Sequence, residues 1–291
     1  MQLTDETDIV LGPTVQTYGK KTIHWWANPM LALSPDGEKI AYLARKKVSS
    51  TDYTDNIMVK NTGKPGGAVQ RTFRNNINDL SWSPDGEWLC FSETRSNKSS
   101  IYMVNAIEGT VLQQISTDIA NDYNPVFSSD CNLIYFTRAD SYGYSIWSFN
   151  RLNNQFSNYS NGLNPIPVKG EEGALLCTRI TGEGDREIWK INYITGVEQV
   201  ILSQPNKSFT NPQLSPDMQW IVCVANTTGG LKQNLDIYAV RSDGTQLTQL
   251  TYHPGSDASP VWSPDGKSLY FLSQRGTLKG KYNIWKMNFP L

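Results

Sequence analysis

Basic side chains are concentrated near the beginning and near the end of the chain, and several aromatic residues accompany them near the beginning. Trp25 and Trp26 stand together, and Lys46 and Lys47 follow them in the sequence. Residues 275–281 carry further positive charge. Clustered Lys and Arg attract carboxylates, and the rings of Trp and Tyr bind sugars or peptide chains. Residues of these types favour recognition of an acidic peptide segment or of a uronic-acid-type glycan.

The sequence contains no pattern typical of a known catalytic centre. It has no G-x-S-x-G elbow, no glycine-rich phosphate loop and no H-E-x-x-H pair. Its two histidines, His24 and His253, are too few for a multi-histidine metal site. Sequence positions alone do not assign a glycosidase pair among the 27 Asp and Glu residues. We therefore expect no cofactor and no metal ion, and we expect binding rather than catalysis, with an enzymatic role left open.

A tight-turn motif, Ser-Pro-Asp-Gly followed by a short apolar run, divides the chain into regular parts. Full, weaker or degenerate copies begin at Ser34, Ser83, Ser128, Lys169, Ser215 and Ser263. In this motif Pro sets the first φ of the turn, Asp bonds to the local backbone, and Gly takes the position with positive φ. Successive copies are 41–49 residues apart, which is the length of one blade of a β-propeller.

A second marker keeps the same phase and indicates the third strand of each repeat. An isoleucine follows every turn at a similar distance, at Ile57, Ile101, Ile146, Ile188, Ile237 and Ile284. Two strand-length apolar segments lie between the turn and this isoleucine, and a turn and a fourth segment usually follow it. Four short antiparallel strands in each of six repeats predict an all-β, six-bladed β-propeller.

The repeats account for nearly all of the 291 residues and predict a single domain, 1–291. The expected blades span about 25–70, 71–115, 116–159, 160–202, 203–250 and 251–291. The last repeat ends one strand short, so we expect a strand from residues 1–22 to complete it and close the ring. No apolar run is long enough to span a membrane. The net charge of −1 gives no overall attraction to nucleic acid. We expect the protein to be a monomer.

Small polar residues, often followed by proline, precede the predicted innermost strands. They are Asn28, Asp79, Asn124, Asn164, Asn211 and Ser259. Six such residues would surround one mouth of the central channel, where they could bind a ligand. The alternative, which stays open, is that Asn and Pro only shape the turn that leads into each blade.

The candidate binding site combines this polar ring with the basic and aromatic loops of blades 6, 1 and 2, which become neighbours when the ring closes. Its residues are His24, Trp25, Trp26, Asn28, Arg45, Lys46, Lys47, Tyr53, Asp79, Asn124, Asn164, Asn211, His253, Ser259, Arg275, Lys279 and Lys281. The loops between second and third strands share one face of a propeller with the loops that lead into each blade, and we call this the loop face. The alternative interpretation is that the charges only solvate these loops and that Trp25 and Trp26 pack beneath them.

The four cysteines, Cys90, Cys131, Cys177 and Cys223, fall in four different blades. Equivalent positions of adjacent blades are farther apart than the roughly 7 Å between Cα atoms that a disulfide can span. We therefore predict four free thiols.

The repeat resembles that of the TolB-type β-propellers. Its fullest copy is residues 235–251, where Leu-Asp-Ile-Tyr-Ala-Val-Arg-Ser-Asp-Gly leads into Leu-Thr-Gln-Leu-Thr. Similar repeats build the periplasmic protein of a cell-envelope complex, the substrate-gating propellers of prolyl-peptidase-like enzymes, and several carbohydrate-active proteins. We find no counterpart here of the envelope protein's α/β domain or of the peptidases' hydrolase domain, and no catalytic residue carries over.

The resemblance implies a binding scaffold that recognises a protein or peptide partner through one face of the propeller. A propeller that binds or processes an acidic oligosaccharide is the alternative. The resemblance also implies a periplasmic or exported location with the signal segment removed, whereas the sequence itself leaves a cytoplasmic location open.

Overall fold

The computed structural model describes residues 1–4, 9–12, 16–18, 21–23, 29–47, 53–63, 67–72, 74, 76–110, 112–117, 120–182, 184–226, 234–276 and 281–291. The regular structure of these residues is entirely β-strand, and no helix occurs among them. Within the same residues no helix is long and apolar enough to cross a bilayer.

Six antiparallel sheets form the blades, and the strands of each blade pair in the order in which they follow one another along the chain. Blade 1 consists of strands Leu31–Leu33, Lys39–Lys47, Tyr53–Asn61 and Val69–Gln70. Blade 2 consists of Ile77–Trp82, Trp88–Arg95, Lys98–Asn105 and Leu112–Gln114. Blade 3 consists of Asn121–Phe127, Leu133–Asp140, Gly143–Asn150 and Gln155–Asn161. Blade 4 consists of Leu163–Pro167, Ala174–Ile180, Arg186–Asn192 and Val197–Leu202. Blade 5 consists of Phe209–Leu214, Trp220–Asn226, Leu235–Arg241 and Thr248–Gln249. Blade 6 consists of Asp257–Trp262, Ser268–Ser273 and Asn283–Asn288. Gln16–Tyr18 and Lys21–Ile23 form a separate hairpin.

The six sheets close into a ring around their first strands. The first strand of each blade contacts the first strand of the next, and Asp257–Trp262 of blade 6 contacts Leu31–Leu33 of blade 1. This arrangement confirms the six-bladed propeller predicted from the spacing of the turns.

The N-terminal residues supply the strand that blade 6 lacks, as predicted. The N–H of Leu3 donates to the carbonyl of Ile284 at 2.7 Å, and the N–H of Ile284 donates to the hydroxyl of Thr4 at 3.0 Å. Ile9–Val10 then pair with the second strand of blade 1. The N-terminal segment therefore bonds to both blade 6 and blade 1, and we call this junction of the two blades the seam.

The serine and the aspartate of the turn motif bond to the turn's own backbone. The hydroxyl of Ser34 accepts the N–H of Lys39 at 2.9 Å and donates to Asp36 at 2.5 Å, and Asp36 accepts the N–H of Glu38 at 2.9 Å. The hydrogen bond from Ser34 is the main reason that the pKa of Asp36 is lowered. The same three bonds recur at the turns that begin at Ser83, Ser128, Ser215 and Ser263.

The core lies between adjacent blades and contains the residues that mark the third strands. All six isoleucines of the repeat are fully buried. Ile146 of blade 3, for example, packs with Leu175 and Cys177 of blade 4. The four cysteines are free, as their spacing predicts.

Candidate functional site

The predicted polar ring lies inside the first strands rather than before them. Asn124, Asn164, Asn211 and Ser259 have φ angles of 53°, 51°, 52° and 49°, and the pairing register shifts next to each of them. A left-handed residue inserted in this way makes a β-bulge, beyond which the strand resumes its pairing. These residues therefore line the channel about half-way along the strands, not at its mouth.

Asp79 holds the equivalent position in blade 2 and joins two blades. Its carboxylate accepts the N–H and the hydroxyl of Ser92 at 2.9 and 2.7 Å, and the N–H of Asn124 in blade 3 at 2.9 Å. Burial raises the pKa of Asp79 to about 6, against the opposing effect of these hydrogen bonds, which favour the ionised form. Asp79 thus fixes the channel wall between blades 2 and 3.

Similar bonds tie other first strands to the blade before them. The N–H of Asn164 donates to Oγ1 of Thr137 at 2.9 Å, and the N–H of Met30 donates to Oγ of Ser259 at 3.4 Å. These bonds set the spacing of neighbouring blades around the channel.

A cavity of about 240 Å³ lies inside the ring. First strands of all six blades line it, mostly with apolar side chains that include Trp82 and Trp262. The Nδ2 of Asn211 and the Oγ of Ser81 also belong to this wall, and neither has a hydrogen-bond partner among the described residues. Asn211 is only 1% exposed. An unsatisfied buried polar group costs about 1–3 kcal/mol, so a ligand that bonds to these atoms would recover that energy.

Ion pairs balance the charge of several basic residues near the loop face. Arg45 donates to both oxygens of Asp55 at 2.7 and 2.9 Å, and Arg275 donates to Asp257 at 2.7 Å. The side chains of Asp55 and Asp257 are 8% and 0% exposed, whereas that of Arg45 is 44% exposed. Positive charge at these positions is therefore locally compensated, because carboxylates of the same blade are buried beneath it.

The other predicted residues that the structure describes belong to blades 1 and 6, which adjoin in the ring. Lys46, Lys47 and Tyr53 lie at the adjoining ends of two paired strands of blade 1, and Lys281 lies just before the third strand of blade 6. The Nδ1 of His253 accepts a backbone N–H of its own turn at 2.9 Å. Outside the described residues lie His24, Trp25, Trp26, Asn28 and Lys279. Their contribution to the site stays a prediction.

Two features of the channel were not predicted from the sequence. Ser81, Trp82 and Trp262 were not among the candidate residues. The two tryptophans line the cavity and also pack against the core between blades. Each stands directly before a turn serine. That position, at the end of a first strand, indicates a place beside the channel. No group of three or more His, Cys, Asp and Glu side chains that could hold a metal ion occurs in the described part of the chain.

Comparisons with known sequences identify the repeat family. A family profile described as "TolB beta propeller domain" matches residues 18–206 and 182–290. The chain is 28% identical over 198 residues to a Bacillus subtilis protein named uncharacterized peptidase YuxL, and this match covers 67% of the chain and 29% of that protein. It is 45% identical over 49 residues to a TolB homolog of Chlorobium luteolum, a match that covers 17% of the chain and 11% of that protein. The chain thus matches only a small part of each of these relatives.

Solved structures share the fold at low sequence identity. TolB from Acinetobacter baumannii superposes with a TM-score of 0.68 at 17% identity, over 88% of this chain and 64% of that one. Oligogalacturonate lyase from Vibrio parahaemolyticus superposes with a TM-score of 0.62 at 13% identity, over 99% of this chain and 93% of that one. At these identities the similarity shows the fold alone.

Proposed function

Because the chain belongs to the TolB β-propeller family, we propose that it is a non-catalytic binding scaffold that recognises a protein or peptide partner through one face of its ring. The names of the similar proteins do not distinguish binding from catalysis, because they include TolB proteins, a peptidase and a lyase. The proposal therefore rests mainly on the chemistry of the channel.

The central cavity is the observation that carries the proposal. At about 240 Å³ it is smaller than the roughly 300–1,000 Å³ of typical small-molecule pockets. It could receive one side chain or the end of a peptide chain rather than a whole cofactor. Its apolar walls suit an aliphatic or aromatic side chain, and the buried Nδ2 of Asn211 offers a donor for a peptide carbonyl. The rest of the partner would lie on the face of the ring.

Selection from a random peptide library, followed by calorimetry, tests this function. Asn211→Leu and Ser81→Leu replace the two unsatisfied polar groups by apolar side chains that intrude on the cavity. We expect selected peptides to bind the wild type and to lose about tenfold or more in affinity for either variant. Ser157→Leu, on the exposed fourth strand of blade 3, is the control and should bind normally. Selected peptides that bind all four proteins equally would refute a role for the channel.

An acidic glycan is the second candidate ligand, because Lys46, Lys47, Lys279 and Lys281 belong to blades 1 and 6, which adjoin in the ring. The test compares tetragalacturonate and an acidic peptide on the wild type and on a variant with Lys46, Lys47, Lys279 and Lys281 changed to Glu. Electrostatic binding should weaken in the variant and with rising salt. Equal affinity for both proteins, or affinity that salt does not change, would remove electrostatic attraction from the proposal.

A periplasmic or exported location and a monomeric state complete the proposal. Family membership suggests the location. The described residues of blades 6 and 1 pair with the N-terminal segment, which leaves less strand edge open to association. Cell fractionation and light scattering test the two points, and a cytoplasmic protein or a stable dimer would contradict them.

A further inference from the structure

A second cleft opens between blades 3 and 4, away from the central cavity. Its volume is about 530 Å³, and it shares no lining residue with that cavity. Tyr142 and Tyr144 line one side of it, and Thr178, Arg179 and Glu198 of blade 4 line the other. The volume falls within the roughly 300–1,000 Å³ of typical ligand pockets.

Arg179 and Glu198 are held in a fixed geometry within this cleft. The guanidinium of Arg179 donates to both oxygens of Glu198 at 2.6 and 2.8 Å and to the hydroxyl of Ser160 at 2.9 Å. It also stacks over Trp189, with the guanidinium carbon 4.6 Å from the ring centroid. The hydrogen bond from Arg179 lowers the pKa of Glu198, which therefore stays ionised at neutral pH. The pair offers a rigid set of donors and acceptors with no net charge.

Tyr142 gives the cleft an aromatic surface that the fold does not use. Its side chain is 97% exposed, at the tip of the turn between the second and third strands of blade 3. An exposed ring of this kind provides a flat apolar face together with a polar hydroxyl.

A buried hydroxyl at the cleft has no partner within the described part of the chain. Oγ1 of Thr178 makes no hydrogen bond there, although the residue is fully buried. Thr137 holds the corresponding position in blade 3, and its Oγ1 accepts the N–H of Asn164 at 2.9 Å. The hydroxyl of Thr178 also has no accessible surface, so it is not a contact for a group that enters the cleft.

We propose that this cleft is a binding site for a neutral oligosaccharide, separate from the site proposed for the partner. One pyranose ring stacks on Tyr142, and its hydroxyl groups bond to Arg179 and Glu198. A neutral ligand fits because the cation and the carboxylate of the cleft cancel, so that neither an anionic nor a cationic ligand gains from their charge. Sugar hydroxyls are both donors and acceptors and can therefore bond to a guanidinium and a carboxylate side by side.

Isothermal titration with defined tetrasaccharides tests the proposal. The neutral probes are cellotetraose, xylotetraose and mannotetraose, and the acidic probe is tetragalacturonate. We expect at least one neutral probe to bind with a Kd below about 5 mM, with little dependence on salt and more tightly than the acidic probe. Tyr142→Ala should weaken this binding about tenfold, whereas Tyr252→Ala, which removes another exposed tyrosine outside this cleft, should not.

The two threonines supply a control for folding. Thr178→Val should leave binding of the neutral probe unchanged and the melting temperature unchanged or higher, because the native hydroxyl has no accessible surface and no partner among the described residues. Thr137→Val should lower the melting temperature and leave binding unchanged. No binding by any neutral probe, tighter binding of tetragalacturonate, or equal effects of Tyr142→Ala and Tyr252→Ala would overturn the proposal.

Discussion

Replacing Thr4 by Val should destabilise the seam, where the N-terminal residues bond to blade 6 and close the ring. The hydroxyl of Thr4 donates to Oδ1 of Asn283 at 3.0 Å and accepts the N–H of Ile284 at 3.0 Å. Thr4 is 3% exposed, so water does not replace these bonds when the hydroxyl is removed. Val has nearly the same shape as Thr, and the substitution therefore isolates the loss of the two hydrogen bonds.

The expected cost follows from the two groups that lose their partner. Each unsatisfied buried group costs about 1–3 kcal/mol, which gives a total of about 2–6 kcal/mol for the two groups. For a chain of 291 residues, an unfolding entropy of about 2.1 cal/mol/K per residue amounts to about 0.6 kcal/mol/K. The melting temperature should therefore fall by about 3–10 °C. Thr110→Val, at an exposed turn where the hydroxyl bonds to Glu108, should shift it by less than about 1 °C.

Hydrogen exchange locates the effect within the ring. In Thr4→Val the amides of Ile284 and Lys286, which bond to the N-terminal residues, should exchange faster, while the amides of blades 3 and 4 should keep their rates. A normal melting temperature, or exchange that rises equally in all blades, would refute the conclusion that residues 1–4 hold the seam.

Three further predictions concern the turns, the channel wall and the thiols. Gly37→Ala should destabilise the fold by about 2–3 kcal/mol, because its φ is 73° and a new Cβ would lie 2.9 Å from a proline of a neighbouring turn. Gly170 also has a left-handed φ, but a new Cβ there would meet no other atom, so Gly170→Ala should cost about 1–2 kcal/mol. Gly63→Ala should cost almost nothing. Burial raises the pKa of Asp79 to about 6, so its contribution to stability is fully present below about pH 4 and is lost as pH rises through 6. Denaturant titrations should show the free energy of unfolding of the wild type falling by about 3 kcal/mol relative to Asp79→Asn over that interval. A constant difference between the two proteins would contradict the raised pKa. Alkylation of the native protein, read by intact mass, should modify only the half-buried Cys131, and alkylation after denaturation should modify all four cysteines, whereas any disulfide would contradict the strand assignment.

The fold could be predicted because its signals are local and repeated. The turn that begins at Ser34 forms its defining bonds within six residues, and one buried isoleucine, such as Ile237, recurs in each blade. The closing strand followed from a count of strands in the last repeat. None of these inferences required knowledge of contacts between distant residues.

The candidate site could be predicted only in part, because its properties depend on distant contacts. The sequence correctly placed Asn124, Asn164 and Asn211 beside the channel, but not the β-bulges that carry them into the strands. A count of charges near the loop face also could not show that Arg45 and Arg275 bond to buried carboxylates. Such pairs depend on which side chains the strand register brings together.

A crystal structure of the protein with a library-selected peptide is the most direct test of the proposed function. The proposal predicts a peptide side chain or chain end inside the 240 Å³ cavity, with a peptide carbonyl accepting a hydrogen bond from Nδ2 of Asn211. A peptide seated on the outer strands of the blades, with the cavity unchanged, would contradict it.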